Sequence, residues 1–198
     1  KTGERQIVGW VRNGACLSEI DGEYVYIDRL DDMRQLASGK KYSPQFLEVR
    51  LRFSPFIKDV LVVGDPTRDS VTALVNIDGH VVGRWAEAQK IAFGGFTDLS
   101  QRVEVVSLVR QEISRVNSVL PRHARIVRFA NFPKELDPDD GELTRTRKLR
   151  RENIERRYGN LIEKLYSADS RCDLEIQIAF QDGRRGMLKA DVALTEVE

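Results

Sequence analysis

The sequence predicts an α+β fold: a short mixed or antiparallel sheet flanked by helices, with a β-hairpin toward the C-terminal end. Three observations predict it. Two short apolar runs, Ile57–Val63 and Val71–Ile77, are separated by the turn composition Gly64-Asp65-Pro66-Thr67-Arg68-Asp69. Apolar residues then recur at helical spacing, first Val81, Val82, Trp85 and Ala88, then Val105, Val106, Val109, Ile113, Val116 and Leu120. The end of the chain alternates instead, with Leu174, Ile176, Ile178 and Phe180 set against Glu175, Gln177 and Ala179.

Composition bounds the rest. A chain of 198 residues, 41% hydrophobic and 32% charged, buries one good core and leaves room for a smaller second one. Lys plus Arg total 32 against 31 Asp plus Glu, so a net charge of +1 provides no whole-molecule field for nucleic acid or membrane. No apolar run approaches the roughly 18 residues of a membrane span, and Lys1-Thr2-Gly3-Glu4-Arg5 is no signal peptide, so the expected compartment is the cytoplasm. Cys16, Cys172, His80 and His123 are isolated from one another, which predicts two unpaired thiols and no metal site. The chain opens without Met, in a strand-rich stretch, and is expected to be a piece of a larger protein.

In chain order, a strand is predicted over residues 6–10, and a second over Gly22-Glu23-Tyr24-Val25-Tyr26-Ile27, which follows an Asp-Gly turn signal and ends at the charged break Asp28-Arg29-Leu30-Asp31-Asp32. Ser43-Pro44 marks a helix start, with Ser at the cap and Pro in the first turn; Ser54-Pro55 marks its stop. The two apolar runs follow as adjacent antiparallel strands, then two helices, the second closed by Pro121. Ile126-Val127-Arg128-Phe129 reads as a further strand, 131–142 as a loop, and 150–165 as one helix with Leu149, Ile154, Tyr158, Ile162 and Leu165 on one side. A hairpin turning at Asp182-Gly183, with its second run over 187–197, completes the chain and forms an appendage, adds to a sheet edge, or pairs with a second copy as a homodimer.

One segment carries candidate chemistry. Thr144-Arg145-Thr146-Arg147-Lys148-Leu149-Arg150-Arg151 places a single lysine among arginines just before a helix. By composition alone it reads as a solvated basic face or a nucleic-acid patch.

The order of motifs adds a second reading. Asp28-Arg29-Leu30-Asp31-Asp32, the Gly39 loop, Ser43-Pro44…Glu48, Val62-Val63-Gly64-Asp65 and Glu142-Leu143-Thr144…Lys148-Leu149-Arg150-Arg151 occur in succession. That succession resembles adenylate-forming enzymes, in particular the long-chain acyl-CoA synthetases, over roughly Gly9 to Tyr166. The resemblance implies that residues 1–29 end a large N-terminal domain, 30–166 form a small mobile C-terminal domain, and 167–198 lie outside the match. It implies ATP, CoA and Mg2+, bound mainly by the N-terminal domain, with a fatty acid as co-substrate and that domain as partner; no nucleic acid is implied. It makes Lys148 the catalytic adenylation lysine, a compact charge on a flexible stem suited to meeting developing negative charge. It makes Asp31 the hinge, a residue that absorbs a backbone rotation, and Arg29 the contact to the nucleotide ribose. It turns the loop Leu36-Ala37-Ser38-Gly39-Lys40-Lys41-Tyr42 toward CoA, with Gly39 and Lys40 at the ligand.

One position departs. Gly9-Trp10-Val11-Arg12-Asn13-Gly14-Ala15 matches a segment in which the family carries Asp where this chain has Ala15. A methyl group cannot accept the ribose hydroxyls, at a cost of about 1.5–3 kcal/mol if those hydroxyls stay buried. Three readings stay open: Glu19 substitutes, a weaker nucleotide site suffices, or the protein has left adenylation. The functional expectation is the C-terminal part of an ATP-dependent long-chain fatty acid–CoA ligase, inactive alone. The alternatives are a non-catalytic nucleotide- or acyl-CoA-binding relative and an RNA-binding domain built on the cluster from Arg145 to Arg157.

Overall fold

The structure, a computed structural model, describes residues 14–20, 22–179 and 185–197. The strand expected over 6–10, most of the Gly9 to Ala15 motif, Phe180 and the Asp182-Gly183 turn lie outside the described residues, as does the side chain of Glu19.

Strands β1 (Ala15–Ile20) and β2 (Glu23–Arg29) form an antiparallel pair in which Ala15 faces Arg29. A 3-10 turn, Leu30–Asp32, follows. The short strands β3 (Arg34–Gln35) and β4 (Lys41–Tyr42) then enclose the Gly39 turn. Helix α1 (Pro44–Leu51) begins where the Ser-Pro pair predicts, and the Ser43 hydroxyl accepts the Phe46 N–H at 2.9 Å.

The centre is a four-stranded sheet in the order β10-β7-β6-β5, formed by β5 (Ile57–Val63), β6 (Val71–Ile77), β7 (Ile126–Asn131) and β10 (Thr195–Glu196). β5 and β6 are antiparallel, as predicted, whereas β6 and β7 are parallel. The parallel pair needs a long crossover, supplied by α2 (Gly79–Ala88), α3 (Phe96–Gln101) and α4 (Val103–Ser118). Helix α3 is an addition to the two helices expected there.

Both faces of the sheet are covered, which is why residues 60–63 of β5 and 73–75 of β6 run apolar without alternation. Val60, Val62, Ala73 and Val75 point into a core with α1, α2 and α4, while Leu61, Val63 and Leu74 point into a second one. That second core is closed by α5 (Arg151–Arg157), α6 (Gly159–Leu165) and the hairpin of β8 (Arg171–Ala179) and β9 (Arg185–Ala193).

The single helix expected over 150–165 is corrected to these two, interrupted at Tyr158, whose backbone leaves helical geometry at φ −102°, ψ 19°. At the break the Tyr158 ring lies edge-on against Phe132, with ring centroids 4.8 Å apart, and its hydroxyl donates to the Glu142 carboxylate at 2.9 Å. The neighbouring Gly159 has open space around it and is not crowded into the break.

The hairpin alternates as predicted, with Cys172, Leu174 and Ile176 buried between exposed Asp173, Glu175 and Gln177. Its apolar side lies in the second core with Leu161 and Phe132, and the chain after it returns as β10 to pair with β7. Cys16 and Cys172 are free thiols. Among the described residues, no helix is long and apolar enough to cross a membrane.

Candidate functional site

Lys148 stands on a tight hairpin between Leu143 and Leu149, which form an isolated antiparallel bridge. The Thr144 N–H donates to the Lys148 carbonyl at 2.8 Å, and the Lys148 N–H returns a bond to the Thr144 hydroxyl at 3.0 Å. Arg147 takes the left-handed conformation, φ 60°, to complete the turn. That conformation is costly for a residue with a Cβ, so the turn depends on its stem.

The stem is held by Glu142, whose residue is 0% exposed. Its backbone carbonyl accepts the Arg150 N–H at 2.8 Å. Its carboxylate accepts from Tyr158 Oη at 2.9 Å, Lys134 Nζ at 2.6 Å and the Asp137 N–H at 3.0 Å. Lys134 also pairs with Asp140 at 2.9 Å, and Arg157 reaches both acids. Burial beside this carboxylate pushes the Tyr158 phenol well above its ordinary range, so it remains a donor.

Lys148 is exposed and lines an open cleft of about 540 Å³ together with Asp31, Arg34, Glu48, Arg52, Arg147 and Arg151. Arg151 is fixed within it: it donates to the Glu48 carboxylate and, at 2.8 Å, to the Val62 carbonyl, while Glu48 accepts the Val62 N–H at 2.9 Å. Burial raises the Glu48 pKa, and the Arg151 charge opposes that rise. The five basic side chains Arg34, Arg52, Arg147, Lys148 and Arg151 outnumber the three acids Asp31, Asp32 and Glu48 along the cleft, which is locally basic although the chain is nearly neutral and Arg34 also pairs with Glu155 at 3.4 Å.

The other predicted residues divide between this cleft and other parts of the chain. Asp31 shares the cleft with Lys148, from the exposed 3-10 turn after β2. Arg29 ends β2 opposite Ala15, so the departed aspartate position and the expected ribose contact are cross-strand neighbours. Gly39 and Lys40 are exposed on the β3–β4 turn and do not line the Lys148 cleft. Gly39 has φ +77°, which favours glycine. Its turn is tied down by the Leu36 N–H to the Lys40 carbonyl at 2.9 Å and by the Ala37 N–H to the Arg68 carbonyl at 2.9 Å. Among the described residues, no three His, Cys, Asp or Glu side chains converge as a metal cluster.

Sequence reasoning missed the Glu142 network and the lining by Arg34 and Arg52. The acids and prolines of 131–142 give only a loop composition, and nothing local announces a buried carboxylate.

A small two-core α+β domain with a lysine-bearing hairpin over a basic cleft is the class these features define. Residues 31–170 match the family model described as AMP-binding enzyme C-terminal domain, and the chain belongs to that family. The long-chain-fatty-acid–CoA ligase FadD15 of Mycobacterium tuberculosis is 27% identical over 164 residues, covering 81% of this chain and 27% of that protein. The putative fatty-acid–CoA ligase fadD11 of the same species is 30% identical over 165 residues, covering 82% of this chain and 28% of its own length. This chain therefore spans about a quarter of the length of these relatives. Among solved structures, the adenylation domain of a Mycobacterium chelonae carboxylate reductase shares the fold, with TM-score 0.56, 23% identity, and coverage of 79% of this chain and 23% of that one.

Proposed function

We propose that this chain is the C-terminal domain of an ATP-dependent long-chain fatty acid–CoA ligase. Its family membership, the named ligase activity of its relatives and the locally basic Lys148 cleft support the reading. The observation that carries it is Lys148 presented on a braced hairpin at that cleft, with Asp31 lining the same space.

In this reading, residues 1–29 finish the N-terminal domain, 30–166 form the mobile domain, and 167–198 form the added hairpin. The whole protein takes fatty acid, ATP with Mg2+, and CoA. Lys148 meets the charge that grows as the carboxylate oxygen bonds to the α-phosphorus and the bond to pyrophosphate breaks. Rotation at Asp31 then presents Gly39 and Lys40 to CoA, whose sulfur bonds to the acyl carbon as AMP leaves. Arg29 contacts the ribose in the first step. This chain alone performs neither step.

The test is fatty-acid-dependent AMP formation by the full-length protein. Lys148→Ala is expected to lower it by about 10²–10³-fold, the loss typical of removing one preorganised stabilising group. Equal rates for the two proteins would overturn the assignment.

Ala15 favours a second reading, a non-catalytic relative that binds nucleotide or acyl-CoA for a regulatory or scaffolding role, because the position opposite Arg29 offers no carboxylate. Calorimetry of ATP binding to the full-length protein separates the two: binding at the strength of an active ligase removes the support for the second.

A further inference from the structure

The hairpin β8–β9 lies beyond the stretch that matches the family, residues 31–170, yet it contacts the machinery under Lys148. Arg157, at the end of α5, makes the connection. Its guanidinium donates to the Asp140 carbonyl at 2.9 Å and the Asp140 carboxylate at 3.1 Å. The same group lies 3.4 Å from the Glu142 carboxylate through Nε. It also donates to the backbone carbonyl of Gln177 on β8. One planar cation thus ties both acids at the base of the Lys148 hairpin to a strand of the tail.

Packing runs along the same line. Leu143, at the foot of the lysine hairpin, shares a buried cluster with Ile154 and Tyr158 of the α5 region and with Leu174 and Ile176 of β8. The Lys148 turn closes on hydrogen bonds among Thr144, Thr146, Arg147 and Lys148 and holds Arg147 in a left-handed conformation, so what it takes from this base is the position of its stem at Leu143 and Leu149.

We propose that the C-terminal hairpin is a brace for the Lys148 hairpin, and that Arg157 is the positioning residue that transmits it. The role deepens the function proposed above and rests on Lys148 acting in adenylation. A lysine displaced by about an ångström stabilises the transition state poorly while the rest of the domain stays intact. The second half-reaction, which Lys148 does not serve, is then spared.

The experiment uses the full-length protein with Arg157→Gln, alone and combined with Lys148→Ala. Expected are an adenylation kcat lowered by about tenfold or more, and thioester formation from preformed acyl adenylate and CoA within about twofold of wild type. On the Lys148→Ala background, Arg157→Gln should cost less than about twofold, since the two act as one unit. Losses that fall equally on both half-reactions, or that add to Lys148→Ala, overturn the brace. Hydrogen exchange gives a readout independent of turnover: the amides of 143–150 should exchange about tenfold faster in Arg157→Gln, with those of Val71–Ile77 unchanged. Unchanged exchange at 143–150, or acceleration throughout the chain, also overturns it. If the wild-type protein forms no AMP from fatty acid, the functional reading fails and exchange alone decides the brace. If Arg157→Gln does not fold, Arg157→Lys carries the same measurements, because it keeps the charge and loses the planar fork.

Discussion

Glu142 carries a carboxylate into the interior and meets Tyr158, Lys134 and the Asp137 amide there. A buried ion group of this kind adds little net stability over an apolar replacement, but removing one partner strands the others. Glu142→Ala should therefore lower the unfolding free energy by about 3–5 kcal/mol in urea titration; a loss under about 1 kcal/mol would show that Lys134 and Arg157 find water instead. Arg151 and Glu48 give a pH test. Burial raises the folded pKa of Glu48, and removing Arg151 removes the largest opposing charge, raising it further. Stability tied to a raised carboxyl pKa is full below the unfolded value and is lost as pH rises through the folded one. The penalty of Arg151→Ala should thus be greater at pH 8 than at about pH 5, and an equal penalty at both would sink this account. At this scale Lys148 stands out in the sequence only through its order relative to Arg29, Asp31 and Gly39, and the role proposed for it rests on that order. Glu142 was not legible, because its partners arrive from residues 134, 157 and 158 and form only after the loop has closed.

Elements were legible where local chemistry decides them. Strands β5 and β6 match the predicted runs because Gly64-Asp65-Pro66 stops one and the apolar stretch starts the next. The Ser-Pro start of α1 is a capping signal, and the Ser43 hydroxyl makes the bond it promises. Helix α3 was not legible: its six residues are too few for a periodic pattern. The break at Tyr158 was hidden because a tyrosine at helical spacing reads as continued helix. The β3–β4 turn makes its own prediction. Tyr42 Oη donates to the Gly64 carbonyl at 2.8 Å, pinning the turn to the end of β5, and Gly39 supplies the positive φ at its tip. Gly39→Val should cost about 1–2 kcal/mol of local strain. In the full-length protein it should slow thioester formation from acyl adenylate while leaving AMP formation intact. A defect in AMP formation alone would assign this loop to the wrong half-reaction.

At the scale of the whole molecule, the sheet is the shared wall of two cores, and the tail contributes to both: Cys172, Leu174, Ile176, Val192 and Leu194 to one, Val197 to the other. Each buried aliphatic side chain is worth about 1.5–3 kcal/mol, against a total stability of about 5–15 kcal/mol for a domain. Truncation after Ser170 should therefore abolish cooperative unfolding, seen as loss of the near-ultraviolet circular dichroism signal and of a sigmoidal urea transition. A truncated chain with a native transition would show that α5 and α6 close the second core unaided. The alternation of the tail was legible, and a sheet edge was one of the destinations it offered; that the edge is β7 was not, since pairing across so much sequence leaves no local trace.

The pairing of Thr195 with Phe129 and Glu196 with Arg128 has a consequence for biosynthesis. As the ribosome extends the chain, β7 emerges long before β10 exists, and its outer backbone groups wait without their final partner. An open strand edge is a template for association with other chains. Translation paused in that interval would leave a nascent domain prone to aggregate, and a chaperone that shields strand edges would act on it then.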